Sequence, residues 1–161
     1  MSFKLSSQSF RDGDYLSEAH IFSKEFGFGC AGGNQSPHLT WSGTPSGTKS
    51  FAVTCYDPDT PTGSGFWHWL VVNIPATTTE LQLDAGNPQA GKLPAGALQT
   101  RTDVGKPGYG GPLRTIIRTA TSLRYSRFRK RHFRLRQIRR LRYIQWSPAL
   151  GRGRTSDRRS P

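Results

Sequence analysis

The chain is short of cysteine, of long apolar runs and, in its last third, of acidic residues, and each shortage closes off a class of protein. Two thiols in 161 residues, Cys30 and Cys55, cannot build a disulfide framework, and neither lies in a CxxC or Cys/His ligand spacing. Both read as buried thiols in a reducing compartment. No apolar run reaches the roughly 18 residues of a membrane-spanning helix. The opening "MSFKLSSQSF" lacks an apolar signal core and a cleavage site, so a cytoplasmic location is expected. No serine sits in a GxSxG nucleophile elbow, which removes one route to acyl-transfer chemistry.

The scarcity of acid is local. Residues 1–112 hold 7 Lys and Arg against 9 Asp and Glu, whereas residues 113–161 hold 16 against 1. The formal charge of +13 therefore belongs entirely to the tail, and an ordinary, slightly acidic, Gly- and Pro-rich sequence precedes it. A chain of this length supports one domain with a sizeable core. The reading is a globular unit over 1–112 and a poorly ordered Arg-rich tail over 113–161, meeting at Pro112.

What the globular part does contain is strand signal. In "TKSFAVTCY", residues 48–56, Phe51, Val53 and Cys55 alternate with Ala52, Thr54 and Tyr56, the period of a half-buried strand. "FWHWLVVNI", residues 66–74, is aromatic and β-branched and is stopped by Pro75, as a buried strand is. A weaker signal covers 3–10. The intervening "GFGCAGGNQSP", "SGTPSG", "DAGNPQAGKLPAG" and "TDVGKPGYGGP" are turn-forming, and no amphipathic helix precedes residue 112. Short strands joined by long loops predict an all-β, antiparallel sandwich.

Chemistry-bearing residues gather in "CYDPDTPTGSGFWHWLVVNIP". Asp57 and Asp59 end one strand and His68 lies in the next, so a strand-turn-strand unit brings them to one rim beside Phe66, Trp67 and Trp69. Three roles are open to them: Asx-turns with a core histidine, a pocket for a small polar or phosphorylated ligand, or a hydrolytic or metal site. Gly27, Gly29 and Gly32 match GxGxxG, but "NQSPHLTW" follows instead of a helix, so no dinucleotide site is expected. Asn34-Gln35-Ser36 fits a glycosylation sequon, which the following Pro37 and the expected location discount.

The segments "SPHLTW", "YDPDTP", "WHWLVVNIP" and "GYGGP", in that order and spacing across about residues 9–112, resemble the phosphatidylethanolamine-binding protein family, in its bacterial Raf-kinase-inhibitor-like branch. The resemblance implies a β-sandwich with a small anion-binding pocket, no catalytic activity, no cofactor and no metal. It implies a phosphate-type or phospholipid head-group ligand, with a protein kinase as a further partner. By motif position the ligand-binding residues are Asp57, Asp59, His68, Gly110, Gly111 and Pro112. In that scheme Asp57 orients His68 or accepts a ligand donor, His68 donates to an anionic oxygen, Asp59 holds the turn, and Gly110-Gly111-Pro112 shapes the mouth.

The family continues past GGP into a strand carrying His-Arg-Tyr, and here the sequence departs. Reading the tail codons one base out of phase permits Pro-His-Asn-His-Pro-His-Arg-Tyr-Ile-Phe-Thr-Val-Phe-Ala-Leu, the strand the resemblance calls for. The expectation is a frameshift near Pro112, leaving the sandwich incomplete at its C-terminus and prone to aggregation through unpaired strand edges. The alternative is a functional basic arm, Arg114–Arg142, that neutralises nucleic acid or acidic lipid.

Overall fold

The computed structural model describes residues 3–113 and the backbone of residues 142–145. Seven strands form two antiparallel sheets: β1 Lys4–Ser6, β2 Leu39–Ser42, β3 Ser50–Asp57, β4 Phe66–Pro75, β5 Glu80–Leu81, β6 Leu98–Gln99 and β7 Arg142–Gln145. Their orders are β1-β2-β5 and β6-β4-β3-β7. The expected all-β, antiparallel architecture is what the chain adopts, and among the described residues helix is limited to single 3₁₀ turns at Glu18–His20, Lys24–Phe26 and Pro88–Ala90. The tail expectation, apart from Leu113 and the β7 backbone, lies outside the described residues.

The period-2 pattern of β3 does what it predicts. Phe51, Val53, Cys55 and Asp57 are buried, while the residues between them are half-buried. Burial of each large side chain contributes about 1.5–3 kcal/mol, enough to fix which face of the strand turns inward. Leu39 and Trp41 of β2, Phe51 and Val53 of β3, Trp69, Val71 and Ile74 of β4 and Leu81 of β5 meet in one core. Phe51 joins the two sheets, its ring 5.3 Å from Trp41 edge to face and 6.1 Å from Phe3. Cys55 is buried as expected, whereas Cys30, in a glycine-flanked loop, is only half-buried.

The alternation of β4 breaks at two places, at Val72–Asn73, where Asn73 is left-handed at φ 58°, and at His68. Cys55 pairs with Trp69 and Tyr56 with Trp67, so His68 is an extra residue opposite no partner, a β-bulge. His68 and Trp69 are consequently both buried although adjacent in sequence. The bulge turns the imidazole inward beside the indole.

Replacing Phe51 with Ala removes the ring that bridges the sheets, and a loss of about 3–5 kcal/mol is expected. Urea unfolding followed by tryptophan fluorescence measures it. Phe51→Leu, which keeps most of the volume, should cost less than half as much.

Candidate functional site

His68 stands at the centre of a cluster built from three parts of the chain. From β4 its Nδ1 lies 2.8 Å from the Gly110 carbonyl oxygen, and its own carbonyl accepts from the Gly110 N–H at 2.9 Å. A carbonyl only accepts, so Nδ1 carries the proton and donates. Neutral His68 therefore presents a bare Nε2, and that atom is buried with no hydrogen-bond partner among the described residues. Phe66 at 4.8 Å and Phe22 at 5.9 Å between ring centroids wall the imidazole.

Burial pushes the His68 pKa below its ordinary value of 6.5, against the raising effects of the Gly110 carbonyl, the Asp57 and Asp103 carboxylates and the Gly111 backbone. Desolvation wins because the ring is 2% exposed, and the ionised form loses most in such a place. At neutral pH His68 is thus an uncharged acceptor, and it becomes a donor at Nε2 only by taking up a proton.

Asp57 closes β3 on the same side and is buried. Its two oxygens are engaged by the turn that follows: Oδ1 accepts from the Asp59 N–H and Oδ2 from the Thr60 hydroxyl, both at 2.8 Å. The DPDT segment is an Asx-turn whose anchoring carboxylate also supplies negative charge beside His68. Asp59 contributes its backbone N–H, and its side chain is exposed. The turn reading of Asp57 is therefore realised, with its carboxylate near His68, and Asp59 serves the same turn. Asp103, which no motif singled out, accepts from the Trp67 N–H at 2.8 Å and holds the 102–105 turn against β4.

The third part is the 108–112 loop, and glycine is required in it. A Cβ on Gly110 would come within 2.6 Å of Val104 Cγ2, and one on Gly111 would collide with the His20 carbonyl oxygen and lie 2.7 Å from the Ile21 carbonyl carbon. Pro112 is buried and its carbonyl accepts from the Phe22 N–H at 3.4 Å. The structure thus brings His68, Asp57, Gly110, Gly111 and Pro112 into one locality.

Sequence reasoning missed the residue that fastens this loop. Asn34 adopts a left-handed φ of 49°, accepts from the Gly111 N–H at 2.8 Å and donates to the Tyr109 carbonyl at 3.1 Å. Its neighbours complete the latch, with Asn34 N–H on the Ile21 carbonyl at 2.8 Å and the Tyr109 hydroxyl on the His20 carbonyl at 2.8 Å. The sequon pattern was the only signal at this position. The Gly27 and Gly29 pair, at φ 73°, forms turns around Phe28, not a nucleotide loop. No His, Cys, Asp or Glu group able to hold a metal occurs among the described residues.

With this geometry in view, comparison with known proteins gives one family. Residues 6–114 match the phosphatidylethanolamine-binding protein family, and the chain belongs to it. YbcL of Escherichia coli (strain K12) is 60% identical over 110 residues, covering 68% of this chain and 58% of its own length. YbhB of the same organism is 56% identical over 108 residues, covering 67% of this chain and 66% of the relative. The crystal structure of YbcL superposes with a TM-score of 0.66 at 59% identity, over 69% of this chain and 66% of that one. A phosphatidylethanolamine-binding protein homologue from Chlamydia trachomatis superposes with a TM-score of 0.55 at 26% identity, over 70% and 65% of the two chains. The chain thus spans about three fifths to two thirds of these relatives' lengths.

Two outcomes follow from the site. Between pH 6.5 and the lowered folded-state pKa, the unfolded chain holds a proton on residue 68 that the native state lacks. Stability should therefore fall as the pH drops below 6.5, by up to about 1.4 kcal/mol per unit from this group. Denaturant unfolding from about pH 7 to about pH 5 should show a shallower loss in His68→Gln. Separately, Asn34→Gly keeps the left-handed backbone but removes both loop hydrogen bonds. It should cost about 1–3 kcal/mol and speed hydrogen exchange at Gly111.

Proposed function

We propose that the chain is a non-enzymatic binding module whose His68 pocket takes a small phosphate-type or phospholipid head-group ligand. The observation that carries this reading is the His68 Nε2: a buried ring nitrogen without a partner, beside a loop whose glycines admit no side chain. A buried polar atom left unmade costs about 1–3 kcal/mol, so a ligand that reaches it recovers that cost. Once protonated, Nε2 donates to an anionic oxygen, while the aromatic rings exclude water and strengthen the contact. The Gly110 carbonyl keeps the imidazolium oriented, and Asp57, held by its own turn, partly offsets its charge. The Asp57 and Asp103 carboxylates repel an anion, so affinity depends on the charge at His68.

Binding rather than turnover is the reading the cluster supports. Among the described residues His68 commits its Nδ1 to a carbonyl and has no hydroxyl or thiol hydrogen-bonded at Nε2 to activate. The family resemblance adds a protein kinase as the macromolecular partner of this reading.

A second reading rests on the tail. Sixteen basic residues against one acidic over residues 113–161 neutralise polyanions whatever their fold, with a steep salt dependence. We infer that this charge is a by-product of out-of-frame translation, because the family match stops at residue 114, two residues past Pro112. The nucleotide sequence around the Pro112 codon in independent isolates decides it: an intact frame coding for this tail throughout overturns the inference.

The head-group reading is tested by calorimetry with inorganic phosphate on the full-length chain. Binding should strengthen as the pH falls through the His68 pKa, and His68→Gln should weaken it by about tenfold or more. Phosphate affinity that ignores both pH and His68 would sink the proposal. Deleting residues 113–161 should abolish binding to nucleic acid.

A further inference from the structure

A concavity shares Gly108 and Tyr109 with the loop beside His68 but not His68 itself. It is a cleft of about 360 Å³ between the 24–26 turn, the 33–35 segment, the 84–89 turn and residues 106–109. That volume is at the small end of ligand sites, suited to one compact molecule. Its lining is chemically unlike the anion pocket: the carboxylates of Glu25 and Asp84, the amides of Gln35, Asn87 and Gln89, and the ring of Phe26.

Some of these groups brace the cleft and others remain available. Asn87 Oδ1 accepts from the Gln89 N–H and its Nδ2 donates to Asp84 Oδ2, both at 3.1 Å. Asp84 is thereby held in a left-handed conformation, φ 67°, with its second oxygen bonded to nothing among the described residues. The Gln35 and Gln89 side-chain amides likewise make no hydrogen bond among the described residues. Lys106 Nζ stands 4.7 Å over the Phe26 ring.

Elimination narrows the ligand. Two carboxylates repel a phosphate-like anion, Lys106 opposes a bare cation, and the polar wall offers an apolar molecule little to bury against. A hydroxyl donates once and accepts as well, so it suits carboxylate oxygens set beside amides. We propose that this cleft binds a small neutral polyhydroxylated ligand, a monosaccharide or cyclic polyol, with Asp84 accepting from its hydroxyls and Gln35 and Gln89 bonding them in both senses. His68 takes no part, so the fate of the anion-pocket reading and of this one are independent.

Saturation-transfer NMR and calorimetry on the full-length chain test it, with D-glucose, D-galactose and myo-inositol as probes, glycine as a zwitterionic comparison and inorganic phosphate as competitor. At least one polyol should half-saturate the cleft at a concentration on the order of 1–10 mM, and phosphate should not displace it. Asn tolerates the left-handed backbone, so Asp84→Asn tests the lost carboxylate without backbone strain. Asp84→Asn and Gln35→Ala should each weaken binding about fivefold or more, with the thermal midpoint unchanged. The proposal is overturned by no saturation with any polyol below about 100 mM, by displacement with phosphate, by indifference to both substitutions, or by glycine binding more tightly than every polyol.

Discussion

The double hydrogen bond between His68 and Gly110 is the constraint on which the site rests. The loop N–H meets the His68 carbonyl and the ring Nδ1 meets the loop carbonyl, so one residue of β4 and one residue of the loop fix each other completely. The tautomer follows from it, and so does the bare Nε2. So does the demand for glycine at 110 and 111, because a loop drawn this close to β4 on one side is pressed against Val104, Phe22, His20 and Ile21 on the other. Asn34 then acts as a fastener behind the loop, taking the Tyr109 carbonyl and Gly111 N–H that flank the pair.

This arrangement sets two electrostatic tendencies against each other. Burial among Phe22, Phe66 and the loop favours neutral imidazole, while Asp57 and Asp103 favour the charged form. Burial dominates. In the proposed reading, an anion at Nε2 adds a third influence of the same sign as the carboxylates, so protonation and anion binding would promote each other by linkage. A histidine fully exposed at this position would ionise near pH 6.5 regardless of ligand and discriminate less between bound and free states.

Much of this was legible in the residues, and the failures have physical causes. Strands β3 and β4 were readable because side-chain period and β-branching report burial directly, and Pro75 marked the stop. Strands β5 and β6, two residues each, are too short to carry a period. The bulge at His68 was not legible, since "WHW" reads as unbroken alternation until the Cys55–Trp69 and Tyr56–Trp67 pairings show one residue in excess. The proximity of Asp57 to His68 could be inferred from a single strand-turn-strand unit. The pairing of residue 110 with residue 68, and of Asn34 with residues 109 and 111, depends on contacts across 42 and more than 70 positions, for which local spacing holds no information.

The β7 backbone separates what sheet pairing demands of a sequence from what a chemical site demands. Arg142–Gln145 pairs antiparallel with β3 at Ala52, Cys55 and Tyr56, so an edge that would otherwise offer unpaired N–H and C=O groups is occupied. Backbone pairing of this kind makes few demands on side-chain identity, because every residue but proline brings the same donor and acceptor. A chemical site makes the opposite demand: one imidazole at one register position cannot be exchanged for arginine. The Arg142–Gln145 segment can therefore satisfy part of the sheet without contributing to the His68 cluster that the described residues form. Sheet pairing and site chemistry are separable for that reason: the first asks for backbone groups alone, the second for one side chain at one position.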